Sequence, residues 1–171
     1  MTVDTLLEAL ASSRYAQLRT YRRDGSAVDT PMWFHIDGDT LVFRTKIGPK
    51  TRRIAANPLV EMWPCDYRGR YADGTPTITG QASILSGPAA DAANQAMQKR
   101  YGWQYNVAPL LKLPGVKNVH HDLKMREKLR RATTKEIWPD SAIVEVKFTP
   151  ADARTAASET VSAQDGSQQR G

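Results

Sequence analysis

Apolar and polar residues along this chain fall into short blocks, and most blocks carry the period of a strand. The first block is helical. Leu6, Leu7 and Leu10 recur on one face behind Asp4, which predicts a short capped helix ending at Ala11. Tyr15 to Tyr21 then alternates loosely as a strand, and Arg22-Arg23-Asp24-Gly25 follows as a hairpin turn, with Asp24-Gly25 its sharp signal. Ala27 to Ile36 reads as the returning strand. Asp37-Gly38-Asp39 turns it into Thr40 to Thr45, whose Leu41-Val42-Phe43 run is apolar and free of breakers. The pattern therefore predicts three antiparallel strands in a row.

Gly48-Pro49 stops that run, and Pro49 suits the first turn of a helix over the Lys50 segment. Leu59 to Trp63 reads as a fourth strand. Pro64 interrupts it, so this end is expected at an edge or a bulge. Thr75 to Leu85 reads as a fifth strand, Gly87-Pro88 opens a helix over Ala89 to Arg100, and Ser141 to Phe148 alternates as a closing strand. About six strands, mostly in hairpins and with few helices, predict a mainly β (α+β) fold, a small closed or split β-barrel with peripheral helices.

Two stretches stand apart. Trp103 to Trp138 is cut by Pro109 and Pro114 and reads as a helical insertion or lid. Within it, Asp122 to Arg131 forms a basic helix with Met125 and Leu129 on one face. Residues 151–171 are nearly devoid of large apolar side chains, which predicts a disordered tail from about Thr155. One barrel domain over residues 1–150 and this tail complete the expected organisation.

Charge narrows the field of partners. The 171 residues carry a formal net charge of +6, so an anionic partner is attracted, whether nucleic acid, a membrane surface or a phosphorylated cofactor. Cys65 is the single cysteine; no intrachain disulfide forms, which fits a reducing cytoplasm. The first residues carry Asp4 and Glu8 and no basic leader, so no signal peptide is expected. No apolar run reaches the roughly 18 residues of a membrane span.

The sharpest chemistry lies in Lys50-Thr51-Arg52-Arg53-Ile54-Ala55-Ala56-Asn57-Pro58, directly after a strand. A helix places Lys50, Arg53 and Asn57 on one face. Its first turn adds free backbone N–H groups and the positive dipole end, together an anion site suited to phosphate. The same pattern also suits a solvated basic helix face.

Set in order, these pieces resemble the pyridoxamine-phosphate-oxidase-like split-barrel superfamily, and within it the deazaflavin-dependent reductases that bind coenzyme F420. Leu18 through Gly25, Thr30-Pro31-Met32-Trp33-Phe34, Lys50 through Ile54, Asn57-Pro58 and Pro64-Cys65-Asp66-Tyr67-Arg68-Gly69 carry the resemblance, and the closing strand Asp140 to Val146 fits. It covers roughly Leu6 to Arg100 and that last strand. The resemblance implies a split β-barrel of the FMN-binding kind, working as a homodimer with cofactor at the subunit interface. It implies phosphate contacts from Thr45, Lys50 and Arg53, supported by Arg44 and Asn57. Pro31, Met32 and Trp33 match the strand edging the cofactor ring, and Pro64 and Cys65 the adjacent strand along the ring or its ribityl chain. The implied function is an F420H2-dependent oxidoreductase passing a hydride to a small conjugated organic acceptor. The alternatives are an FMN enzyme of the same fold and, from another class, a non-catalytic cofactor carrier or nucleic-acid-binding protein. Two departures stand out: a loop between Thr45 and Lys50 about a residue short, and the long basic segment 103–138.

The remaining candidates are weaker. Cys65 lacks His and Asn partners at suggestive spacing and reads as an inert buried thiol. His120 and His121 point about 100° apart on a helix and no Cys/His cluster joins them, so no metal site is expected. Asp66, Tyr67, Arg68 and Arg70 read as a solvated turn or a substrate rim, and Trp33 as a ring wall or a plain core aromatic. Tyr101 and Lys46 are possible proton donors that no spacing singles out, and no catalytic residue is assigned. The basic residues Lys124, Arg126, Lys128, Arg130 and Arg131 lack interleaved aromatics, which argues against nucleic acid.

Overall fold

The computed structural model describes residues 3–112, 114, 120 and 122–149. The polar tail and His121 lie outside them. Helix α1 (Val3–Ala11) leads into strands β1 (Tyr15–Tyr21), β2 (Ala27–Met32), β3 (His35–Asp37) and β4 (Thr40–Lys46). Then come α2 (Pro49–Ala56), β5 (Leu59–Cys65), β6 (Ile78–Leu85), α3 (Gly87–Tyr101) and α4 (Gln104–Val107). A 3-10 turn (Ala108–Leu110), α5 (Met125–Thr133) and β7 (Ser141–Phe148) complete the order.

The seven strands form one antiparallel sheet in the order β2-β1-β5-β6-β7-β4-β3. Its two edge strands, β2 and β3, are consecutive in the chain and separated only by Trp33-Phe34. That short link obliges the sheet to curl until its edges meet, which makes a split barrel. Inside, Ala16 and Leu18 of β1, Leu41 and Phe43 of β4, Val60 and Met62 of β5, and Val144 and Val146 of β7 are buried together. Leu10 of α1 and Ile54 of α2 plug this core. Outside it, Val42 and Ile143 pack under Ala90, Ala93, Met97 and Tyr101 of α3. Strands β4 and β7 are thus buried on both faces, hence their near-continuous apolar runs.

Three sequence expectations change. The returning strand Ala27–Ile36 is broken at Trp33-Phe34, giving seven strands where about six were expected. The Tyr101 hydroxyl accepts a bond from the Phe34 N–H (3.1 Å) and faces the Phe34 carbonyl at 2.6 Å, so both groups leave the ladder. As a result β4 does not sit beside β2; it joins β7 on the far side of the sheet. Pro64 does not end its strand. It pairs with Ala16 on the β1 side, and pairing with β6 stops at Met62↔Ile78, so the missing N–H falls where β5 has one neighbour.

The basic helix runs later than expected, Met125–Thr133, and its apolar pair faces outward: Met125 and Leu129 are 71% and 61% exposed. Its inward anchor is an arginine. Arg131 is buried, bonded through Nε to Glu127 and through one terminal nitrogen to Asp140 (2.8 Å each). Glu127 also takes Arg130, and that double pairing holds its carboxyl well below the usual range, to about 2.

Candidate functional site

A cavity of about 480 Å³ opens where β4 hands over to α2. Local sequence sets its floor. Gly48 precedes Pro49, and Thr51 reaches back so that its hydroxyl accepts the Gly48 N–H (3.0 Å), which closes the first turn. Thr51 and Ile54 are the buried residues of the helix, so its other side, with Lys50 and Arg53, turns to the cavity. Arg53 Nε donates to the Thr20 hydroxyl on β1 (2.9 Å), which fixes the guanidinium.

The electrostatics are one-sided. Arg44, Lys46, Lys50 and Arg53 all line the cavity, and among the described residues no Asp or Glu does so. Burial, with Arg53 close by, pushes Lys50 down to about 8 from an ordinary 10.5. Burial likewise lowers Arg53, with Arg22 adding to it. Two neighbouring cations, each lowered first by burial and then by a nearby cation, can together receive an anion such as a phosphate or carboxylate.

The facing wall is apolar. Pro31, Met32 and Trp33 line it from the end of β2. Trp33 stacks on Tyr101, centroids 4.6 Å apart and planes 7° from parallel, and Tyr101 is itself pinned to Phe34. The indole is therefore held by its neighbours.

The third wall comes from the segment 103–138, through Tyr105, Ala108, Pro109, His120 and Trp138. Arg44 joins it to the barrel. The guanidinium lies 3.8 Å from the Tyr105 ring centroid and 4.2 Å from that of Trp138. It donates to the Asn106 side-chain oxygen (2.9 Å) and the Tyr105 carbonyl (2.5 Å). Desolvation lowers its pKa. His120 is buried edge-on against Trp138 (5.1 Å), its Nδ1 3.6 Å from Asp140; burial pushes its pKa down against the pull of Asp140.

Of the residues singled out from sequence, Pro31, Met32, Trp33, Arg44, Thr45, Lys50 and Arg53 meet around this one cavity. Arg44, expected beside a phosphate, spends its bonds on the lid. Asn57, Pro64 and Cys65 lie elsewhere. Asn57 terminates α2: its N–H bonds Arg53 O and its side-chain oxygen accepts the Leu59 N–H. The Cys65 thiol is pushed up to about 12 by burial and then by Asp66, which disfavours the thiolate form. Asp66 closes its own turn by taking the N–H groups of Arg68 and Arg70, while Tyr67 lines the cavity. Among the described residues no group of three or more His, Cys, Asp or Glu side chains could hold a metal.

Sequence reasoning missed Tyr15, Met97, Tyr105, His120, Trp138 and Ser141. They come from four separate elements and loops, and no spacing marks them. The aromatic residues inside an otherwise basic 103–138 segment were the only available signal.

A family model described as pyridoxamine 5'-phosphate oxidase matches residues 2–149. No curated protein matches the chain. Among solved structures, a Listeria innocua protein described as a candidate pyridoxamine 5'-phosphate oxidase is 20% identical. The match covers 87% of this chain and 93% of that one, with a TM-score of 0.50. HutZ from Vibrio cholerae, described as a heme storage protein, is 12% identical over 85% and 89% of the two chains, at a TM-score of 0.55. A protein described as an F420 reductase is 24% identical over 83% and 91%, at a TM-score of 0.49. Identities this low speak for the shared fold alone.

Proposed function

The chain belongs to the pyridoxamine 5'-phosphate oxidase family, and on that footing we propose that it is an oxidoreductase using reduced coenzyme F420 as hydride donor to a small conjugated organic acceptor. One observation carries the reading: a cavity with a cationic floor at a helix start, where no described residue supplies a carboxylate, faces an apolar wall led by a stacked indole. Such a site suits a phosphorylated planar ring. Lys50, Arg53 and the first-turn N–H groups of α2 would hold the phosphate, while Pro31, Met32 and Trp33 would edge the ring. The cofactor, once bound, supplies the hydride chemistry.

The chain's own part is to bind, orient and keep water out. Tyr101 fixes Trp33, and Arg44 clamps the lid wall over the barrel. Tyr101 is removed as a proton donor, because its hydroxyl is spent on Phe34 and burial raises its pKa. Lys46 reaches the cavity and stays a candidate. The preference for the deazaflavin over FMN rests on the combined order of the motifs that carry the resemblance; the phosphate end fits both.

The reading includes a cytoplasmic homodimer with cofactor at the subunit interface, and sedimentation equilibrium of loaded protein should give twice the chain mass. Equilibrium titration with F420 and with FMN tests the cofactor, and F420 is expected to bind more tightly. Turnover of the reduced cofactor with enones and quinones tests the reaction. Tight binding without turnover would favour a carrier. Strong salt-dependent DNA binding would favour the nucleic-acid reading, which the inward pairing of Arg131 already weakens.

A further inference from the structure

A second hollow, of about 290 Å³, adjoins the cavity and shares Tyr15, Trp33 and Ala108 with it. Arg14, Trp103 and Leu111 stand on its rim. Trp103 is 72% exposed and Leu111 48%, and both border this hollow. Arg14 lies with its guanidinium carbon 5.3 Å from the Trp33 ring centroid and 5.7 Å from that of Tyr101. Its hydrogen bond goes to the Gln104 side-chain oxygen, a neutral group. Among the described residues no carboxylate pairs with it. Arg100, 5.4 Å from the same Tyr101 ring, adds a second positive charge nearby.

We propose that this hollow is a binding site for a planar aromatic molecule bearing a single carboxylate, and that it serves as the acceptor subsite. The acceptor role rests on the oxidoreductase reading; the ligand class rests on the hollow alone. Flat indole walls favour a ring by stacking. The volume suits one or two fused rings. Arg14, whose partners among the described residues are neutral, gains a charge-assisted bond from an anion that a neutral ring does not supply. Charge also divides the two hollows. A phosphate is drawn to the floor with Lys50 and Arg53, which leaves the monoanion for Arg14. Because Trp33 borders both, a ring in the second hollow lies beside whatever the first one holds.

The test uses the full chain, with 2-naphthoate and neutral 2-naphthamide titrated by quenching of tryptophan fluorescence. Naphthoate is expected to bind about tenfold more tightly than naphthamide, and saturating inorganic phosphate should leave that affinity in place. Arg14→Gln should erase the difference between the probes, and Trp103→Ala should weaken both. Both variants should keep the melting temperature and FMN affinity of the unaltered chain. Equal affinity for the two probes, displacement of naphthoate by phosphate, or no effect of Arg14→Gln would overturn the site. So would naphthoate binding that appears only on dilution to monomer, which would assign the hollow to a subunit interface. Naphthoate binding with no affinity for F420 or FMN would instead sink the oxidoreductase reading and the acceptor role, leaving the aryl-carboxylate site standing.

Discussion

At the scale of single residues, the site's character comes from charges left without partners. Burial first, and then the nearby Arg53, push Lys50 down to about 8 from an ordinary 10.5. A bound phosphate dianion reverses that balance by favouring the ammonium form. Affinity for FMN or inorganic phosphate should therefore hold below pH 8 and fall as pH rises through it. Lys50→Arg should bind with a flat profile over the same range, and calorimetric titrations from pH 6.5 to 9.5 check both. The free protein should respond in the opposite sense. Lys50 has a lower pKa folded than unfolded, so between about 8 and 10.5 the unfolded chain binds more protons and this group's contribution to stability rises with pH. Lys50→Ala with Arg53→Ala should weaken phosphate binding by an order of magnitude or more, since two charge-assisted contacts are lost, with circular dichroism unchanged. Tyr101 illustrates the other kind of residue, fully satisfied. Its hydroxyl meets both polar backbone groups of Phe34 in a buried place, so Tyr101→Phe strands the Phe34 N–H. The expected cost is about 1–3 kcal/mol, read as a lower urea midpoint at constant slope.

At the scale of elements, close approach of backbones decides more than propensity. A Cβ on Gly80 would stand 2.6 Å from Val146 Cγ1 and 2.8 Å from the Lys147 carbonyl oxygen. That carbonyl is backbone of the paired β7 strand and has little room to yield. Gly80→Ala should therefore destabilise the chain by about 1–3 kcal/mol, whereas Ser83→Ala on the exposed side of β6 should be nearly neutral in the same denaturation series. The strands themselves were legible where one face is buried and turns are sharp: Tyr15–Tyr21 and Ser141–Phe148 match their sequence bounds to the residue. The break at Trp33-Phe34 was not legible, because its cause is a tyrosine hydroxyl 67 positions away. Neither was the fate of Arg44. The family resemblance placed it beside Thr45 as a supporting phosphate contact. Only the folded lid, bringing Tyr105, Asn106 and Trp138 around it, reveals a clamp. Asn57 misled for a simpler reason: helical spacing extends a face past the residue where the helix stops, and Asn57 is that stop.

At the scale of the whole molecule, the split barrel joins a well-packed core to a cavity that stores repulsion. Among the described residues, fourteen buried ones form the inner core, while the cavity gathers Arg44, Lys46, Lys50 and Arg53 with no acid in its described lining, in a chain already at +6. Gathering these like charges is electrostatically costly, and an anion that binds only the folded state offsets that cost. FMN or F420 at a hundred times its dissociation constant should then add about 2.7 kcal/mol to stability. For a chain of this length that is roughly a 5–10 °C rise in melting temperature. The rise should shrink at pH 9, where the free Lys50 is largely deprotonated, and fall to about half or less in the Lys50→Ala, Arg53→Ala protein. Raising salt should weaken it less than expected for an exposed patch, because Lys50 is half-buried and poorly screened. A cofactor that raised the melting temperature equally in the double variant would have to be held by the apolar walls alone. In that case the start of α2 would be a basic helix end and not a phosphate site.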